Sequence, residues 1–223
     1  MSEEAVVQKY WPQRYSLFSL FDSGIQMDPT GWFSVTPERI AKHIASRCGP
    51  KPLTIYDPFG GVGGNAIQFA LAGHHIICGD VSEGRLAMAR HNASIYGVDD
   101  YIDFVQGDFF ETVKRVKADV VFLSPPWGGP SYAHTESFQV YWMMSIDGKA
   151  VFDAALQAAP NVIYYLPRNA SLESIARLVD GASEDLQCFE VEENWSGTKD
   201  GRALGGLKAI SVYFGPLFRH QDQ

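Results

Sequence analysis

Tyr56-Asp57-Pro58-Phe59-Gly60-Gly61-Val62-Gly63-Gly64-Asn65 is the stretch on which the fold turns. A short β-branched and apolar run, Leu53–Asp57, leads into it. Gly64–Leu71, apolar at helical spacing, leads out. Glycines at such a strand-to-helix turn let the backbone bend sharply and approach a ligand closely. In dinucleotide-binding sheets the same turn carries a pyrophosphate on the helix N-terminus. Here the turn begins with an acid, Asp57, which repels phosphate and attracts an ammonium group.

Outward from this turn the alternation continues. Strand-like runs fall at His75–Asp80, Ile102–Asp108, Ala118–Ser124, Asn161–Pro167, Leu186–Glu192 and Leu207–Phe214, with helical stretches between the first five. Ser82–Tyr96 starts on a good cap, Ser82, and stops at Gly97. Strands alternating with helices imply βαβ units and a mostly parallel sheet. The last two strands have no helix between them. The polar, glycine-rich Ser196–Gly206 makes them an antiparallel pair with a long connection. The expected fold is therefore α/β: the Rossmann-like sheet of S-adenosylmethionine enzymes, seven-stranded and mostly parallel with an antiparallel last strand. That end argues against a plain dinucleotide dehydrogenase.

Before residue 50 the chain is polar and aromatic, with Tyr10, Trp11, Tyr15, Phe18, Phe21, Trp32 and Phe33 and no strand series. Thr36-Pro37-Glu38 opens a helix over Arg39–Arg47, with Thr36 as cap and Pro37 at the first helical position. The expected organisation is an N-terminal helical lid over residues 1–50 and a methyltransferase domain over 51–223.

Composition bounds the function. The 223 residues are 46% hydrophobic and 20% charged, so the chain is not disordered. No apolar run approaches ~18 residues, so no membrane span is expected. The start, MSEEAVVQKYW, lacks a secretory pattern. Three separated cysteines with no CxxC pair argue against a zinc site and a disulfide framework. The six histidines form no ligand spacing, so no metal is expected, and His74-His75 reads as a surface pair at a strand edge. A net charge of −8 disfavours non-specific duplex binding, yet leaves room for a small anion held by a few local cations.

Asp80 ends the second strand, and Asp108 the third, before Phe109. Three acids at three consecutive strand C-terminal ends share the edge where open α/β sheets bind ligands. Asp57 suits the α-ammonium of S-adenosylmethionine, Asp80 the ribose hydroxyls and Asp108 the adenine amino group, with Phe109 beside the ring. The fourth strand runs into Ser124-Pro125-Pro126-Trp127-Gly128-Gly129-Pro130. Two prolines stiffen this turn. Its Ser124 hydroxyl and Pro125 carbonyl suit the hydrogens of a planar exocyclic amine, and Trp127 suits its ring. Such an amine needs orientation in line with the methyl, about 3 Å away, more than it needs a strong base.

Together, DPFGGVGGN (Asp57–Asn65), SPPWGGP (Ser124–Pro130), YYLPRN (Tyr164–Asn169), YWPQRYSLFSLFDSGI (Tyr10–Ile25) and GWFSVTPE (Gly31–Glu38) resemble the trimethylguanosine synthase family. The resemblance runs from about Lys9 to Phe218. It implies a class I S-adenosylmethionine-dependent methyltransferase that methylates N2 in a 7-methylguanosine RNA cap, giving di- or trimethylguanosine caps on small nuclear and nucleolar RNAs. It also implies nuclear residence, with cytoplasmic action left open, and contact with the cap and triphosphate but little RNA length. No metal, no membrane and a monomeric chain are expected. By matching motif, Trp127 stacks on the cationic base, which suits a cation over a ring. Ser124 and Pro125 fall at the amine, and Asp57, Phe59, Gly60, Gly61, Asn65, Asp80, Asp108 and Phe109 at the cofactor. Phe18 and Thr36 close over its methionine end. Lys9 and Arg168 fall at the phosphates, with Tyr132 near the cap. Asn92 matches a cap-site position whose role the residues do not reveal. Three alternatives stay open: a guanine-N2 or adenine-N6 methyltransferase acting inside RNA or DNA, a protein glutamine methyltransferase, in which Asn is usual at the Ser124 position, and a non-catalytic cap-binding module.

Overall fold

The computed structural model describes residues 3–129, 135–142, 146–196, 198–199, 202–203 and 205–218. Nine strands among them include a seven-stranded mixed sheet, the expected class. The chain divides into two compact units, Met1–Thr112 and Val113–Gln223. Among the described residues no helix is long and apolar enough to cross a membrane.

The first unit opens with α1 (Glu3–Tyr10), α2 (Arg14–Leu17), α3 (Gly31–Ser34) and α4 (Glu38–Ser46). It continues with β1 (Thr54–Asp57), α5 (Gly64–Leu71), β2 (His75–Asp80), α6 (Glu83–Ile95), β3 (Ile102–Gln106) and α7 (Phe109–Thr112). The strands run parallel in the order β3-β2-β1, with Asp57 opposite Cys78 and Asp80 opposite Gln106. That register puts the three strand-end acids on one edge of the sheet. α6 starts as expected, with the Ser82 hydroxyl accepting from the Arg85 amide at 3.3 Å. α4 buries Ile40, Ala41, Ile44 and Ala45, one face of a helix, and packs on α5. Its start differs from expectation. Pro37, not Thr36, is the flanking residue, and no side chain caps it. The Thr36 hydroxyl is engaged elsewhere, as described below. His74 also departs from the surface reading: it is buried, while His75 is exposed and lies 2.9 Å from Asp103.

The second unit contains β4 (Val120–Leu123), α8 (Gly148–Ala158), β5 (Asn161–Pro167), α9 (Leu172–Ala176), α10 (Glu184–Gln187), β6 (Phe189–Trp195), β7 (Thr198–Lys199), β8 (Arg202–Ala203) and β9 (Leu207–Phe214). β4 and β5 are parallel, and every residue of both is buried. Continuous apolar runs of this kind mark strands covered on both faces. β9 lies between β5 and β6, antiparallel to both, which is the reversed end expected. Two details differ. The sixth strand begins at Phe189 rather than Leu186, because Glu184–Gln187 forms a helical turn after Ser183. The connection to β9 also carries its own antiparallel ribbon, β7 with β8.

Candidate active site

Asp57 closes β1 with 1% of its surface exposed. Among the described residues no hydrogen bond of normal geometry reaches either carboxylate oxygen, and the nearest donor, the Phe59 backbone amide, acts on the charge only from a strained or distant position. Burial pushes its pKa up to about 7. The Phe59 backbone amide pulls the other way, and the Asp80 charge pushes it further up. An anion so placed lacks only a cation. Across the glycine turn, the Asn65 amide donates to the Thr36 hydroxyl at 3.0 Å, and its carbonyl oxygen is buried without a donor. Three acceptor atoms without a hydrogen bond of normal geometry therefore flank one glycine turn, from Asp57 and Asn65. A group that only donates, such as an ammonium, would satisfy them.

The turn needs its glycines for space and angle. A Cβ on Gly60 would sit 2.2 Å from the Cys78 sulfur, and Gly63 has φ +93°. Asp80, 7% exposed, braces the turn. One of its oxygens accepts from the Gly61 amide at 3.1 Å, the other from the Ser82 amide at 2.8 Å. Each oxygen keeps a lone pair for a ribose hydroxyl. Asp108 is exposed and accepts from the Phe110 amide at 2.8 Å, so one of its oxygens caps α7. Beside it the Phe59 and Phe109 rings lie 5.3 Å apart at 38°, an apolar wall for a planar base.

The N-terminal segment packs directly on this turn. A Cβ on Gly64 would meet Val35 at 3.1 Å and the Phe18 ring at 3.9 Å. Phe18 and Thr36 are both buried. α6 holds the segment through a row of polar contacts that local sequence does not reveal. The Arg85 Nε donates to Asp28 at 2.9 Å, a ring nitrogen of His91 lies 2.9 Å from the Gly24 carbonyl, and the Tyr96 hydroxyl donates to Glu38 at 2.6 Å. The Glu38 carboxylate also takes the Ser19 amide at 2.7 Å. Asn92 is the middle rung. It is fully buried, its amide donates to the Gln26 and Val62 carbonyls at 2.9 Å each, and its oxygen accepts from the Gln26 amide at 2.8 Å. Asn92 thus ties the glycine turn to the segment over it.

In the second unit Ser124 is half-buried, Pro125 buried and Trp127 half-buried. The Trp127 ring lies 5.4 Å from that of Tyr165 on β5, at 36°. Tyr165 thus backs Trp127, a support not expected from the sequence although it lies within YYLPRN. Arg168 is exposed just past β5 and donates to the Leu207 carbonyl at 3.3 Å. Lys9 is exposed at the end of α1, its ammonium 5.3 Å from the centre of the Tyr10 ring. Tyr132 lies outside the described residues.

Comparison with known proteins adds to this geometry. The profile of the RNA cap guanine-N2 methyltransferase family matches residues 53–216. The chain is 40% identical to the trimethylguanosine synthase of Saccharomyces cerevisiae, covering 94% of this chain and 68% of that protein. It is 39% identical to that of Schizosaccharomyces pombe, covering 76% and 74%. Among solved structures, an S-adenosylmethionine-dependent methyltransferase from Agrobacterium tumefaciens matches with TM-score 0.60 at 18% identity, over 82% of this chain and 63% of that one. A protein described as a putative RNA methyltransferase from Pyrococcus horikoshii matches with TM-score 0.58 at 14% identity, over 90% and 96%.

Proposed function

Because this chain belongs to the RNA cap guanine-N2 methyltransferase family, we infer that its buried acids and its Ser-Pro-Pro-Trp turn divide the two halves of one methyl transfer between them. The chain is an S-adenosylmethionine-dependent methyltransferase acting on N2 of guanine in RNA caps. The residue assignments that follow are our reading of how it does so. Bound S-adenosylmethionine supplies an electrophilic methyl on a sulfonium.

Asp57 and the Asn65 oxygen take the ammonium of the methionine end, Asp80 the ribose hydroxyls, and Asp108 with Phe59 and Phe109 the adenine. The observation that carries this is the trio of buried acceptor atoms without a hydrogen bond of normal geometry around the turn. Phe18 and Thr36 exclude water from the methionine end. Ser124 and Pro125 accept the two hydrogens of the cap's N2 amine, drawing electron density back onto nitrogen and fixing its direction. Trp127, backed by Tyr165, stacks on the base, whose positive charge after N7 methylation strengthens the contact by about 0.5–2 kcal/mol. Lys9 and Arg168 hold the triphosphate. Positioning dominates the rate, and the proton leaves after transfer, so no strong base is needed. We further propose action on small nuclear and nucleolar RNAs in the nucleus, a reading that the family membership supports.

The test is methyl transfer from labelled S-adenosylmethionine to m7GpppG and to GpppG, with product masses measured. Transfer to the N7-methylated cap alone is expected, and the masses count the methyls added. Equal use of both caps would overturn the cation-selective role of Trp127. Transfer to internal guanines of uncapped RNA instead would favour the first alternative reading.

A further inference from the structure

The exposed aromatics of the N-terminal segment have no part in the chemistry above. Trp11 and Tyr15 are 45% and 46% exposed. Arg14 lies between them, its guanidinium carbon 4.7 Å from the Trp11 ring centre and 4.2 Å from that of Tyr15. The stack is held rigidly. Arg14 donates to the Trp11 carbonyl at 3.1 Å and to the Tyr15 hydroxyl at 3.1 Å, and that hydroxyl donates to Asp22 at 2.8 Å. Trp11 rests edge-on against Phe21, with ring centres 5.5 Å apart. With Arg14 over one face of the Tyr15 ring, the exposed area belongs to its other face and edges.

We propose that Trp11, Arg14 and Tyr15 form a stacking platform for the base of the second nucleotide following the cap, the first one that m7GpppA lacks. The proposal rests on the cap-methylation reading above. Three observations favour a nucleotide over a protein as occupant. The platform holds a guanidinium between its rings, with Asp22 only at the Tyr15 hydroxyl edge, a local cation on a chain of net charge −8 that suits a phosphate-linked base. It follows directly on Lys9 at the end of α1, an exposed cation with no carboxylate partner among the described ion pairs. Its rings are fixed before binding, so stacking a base on them orders little of the protein. Stacking of this kind contributes about 1–3 kcal/mol per base with little preference among bases. The platform would thus read that a chain continues past the cap, not which sequence it has.

The experiment compares kcat/KM on the dinucleotide cap m7GpppA with kcat/KM on a five-nucleotide RNA bearing the same cap. The full chain is used as wild type, Tyr15→Ala, Trp11→Leu and Tyr15→Phe, each checked for folding by thermal melting. Wild type should prefer the longer substrate about tenfold, the effect of one stacked base. Tyr15→Ala and Trp11→Leu should lose that preference while keeping their rate on the dinucleotide within about twofold, and Tyr15→Phe, which keeps the ring, should retain it. A wild type that uses both substrates equally overturns the proposal. Variants that lose both activities together show a structural role and overturn it too. Variants that keep the preference overturn it and leave the patch to a protein partner. A wild type inactive on both caps defeats the cap-methylation reading itself, which none of the other outcomes does.

Discussion

At the scale of single residues, Asp57 sets stability against function. Its pKa is raised to about 7, above the unfolded value near 4, because burial disfavours the charged form. For a carboxyl raised in this way, the folded protein is favoured at low pH. That contribution is present below about pH 4 and is lost as pH rises through about 7. With the proposed ammonium contact, cofactor affinity runs the other way, since that contact needs the carboxylate. The dissociation constant should fall as pH rises from 6 to 8, as calorimetric titration would measure. Asp57→Asn should flatten that profile and weaken binding at least tenfold. It should also raise the stability of the ligand-free protein at pH 8 by ~1–3 kcal/mol in denaturant melts. The position of Asp57 before a glycine turn was legible in the sequence. Its lack of a hydrogen bond of normal geometry was not, because that depends on what every neighbouring chain segment does with its amides.

Trp127 makes the second prediction at this scale. Trp127→Ala should reduce kcat/KM on m7GpppG at least a hundredfold. Trp127→Phe should keep part of the rate but narrow the preference for the N7-methylated cap by about tenfold, since a smaller ring holds a cation less well. Kinetics on the two caps decide it.

Among elements, the pairing of α6 with the segment over Ser19–Gly31 does most to shape the cofactor turn. Asn92 makes three of its contacts to backbone groups more than sixty positions away along the chain or in the glycine turn. Asn92→Ala leaves buried backbone groups without partners and should cost about 2–4 kcal/mol, with a matching fall in melting temperature. Asn92→Asp also removes the donor and buries a charge, so it should be at least as destabilising at pH 8 and partly recover at pH 5, where the carboxyl can protonate. A melt unchanged by either substitution would remove Asn92 from this role. The strand series, the Ser82 cap and the Gly97 stop could be read locally because each depends on neighbours within one turn. The α4 start could not, since the Thr36 hydroxyl had a distant alternative in Asn65.

On the whole-molecule scale, net charge separates cap recognition from binding along RNA. With the two cations Lys9 and Arg168 on phosphates, binding of a capped dinucleotide should weaken only about tenfold between 50 and 200 mM salt. A protein making six to ten phosphate contacts would lose about 10³–10⁵. Fluorescence titration of a labelled cap across salt concentrations measures the slope, and a steep one would favour an enzyme of internal RNA. What the sequence determined by itself was everything carried by period and local chemistry. That covers the alternating strands and helices, the reversed final pair, the acids at strand ends, and the proline-stiffened aromatic turn. Only the tertiary structure decided which buried acceptors lack a hydrogen bond of normal geometry, that Asn92 braces the turn, that Tyr165 backs Trp127, and that His74 is buried. The physical reason is common to all four. Solvation and hydrogen-bond pairing are set by groups far apart along the chain, and no window of sequence contains both partners.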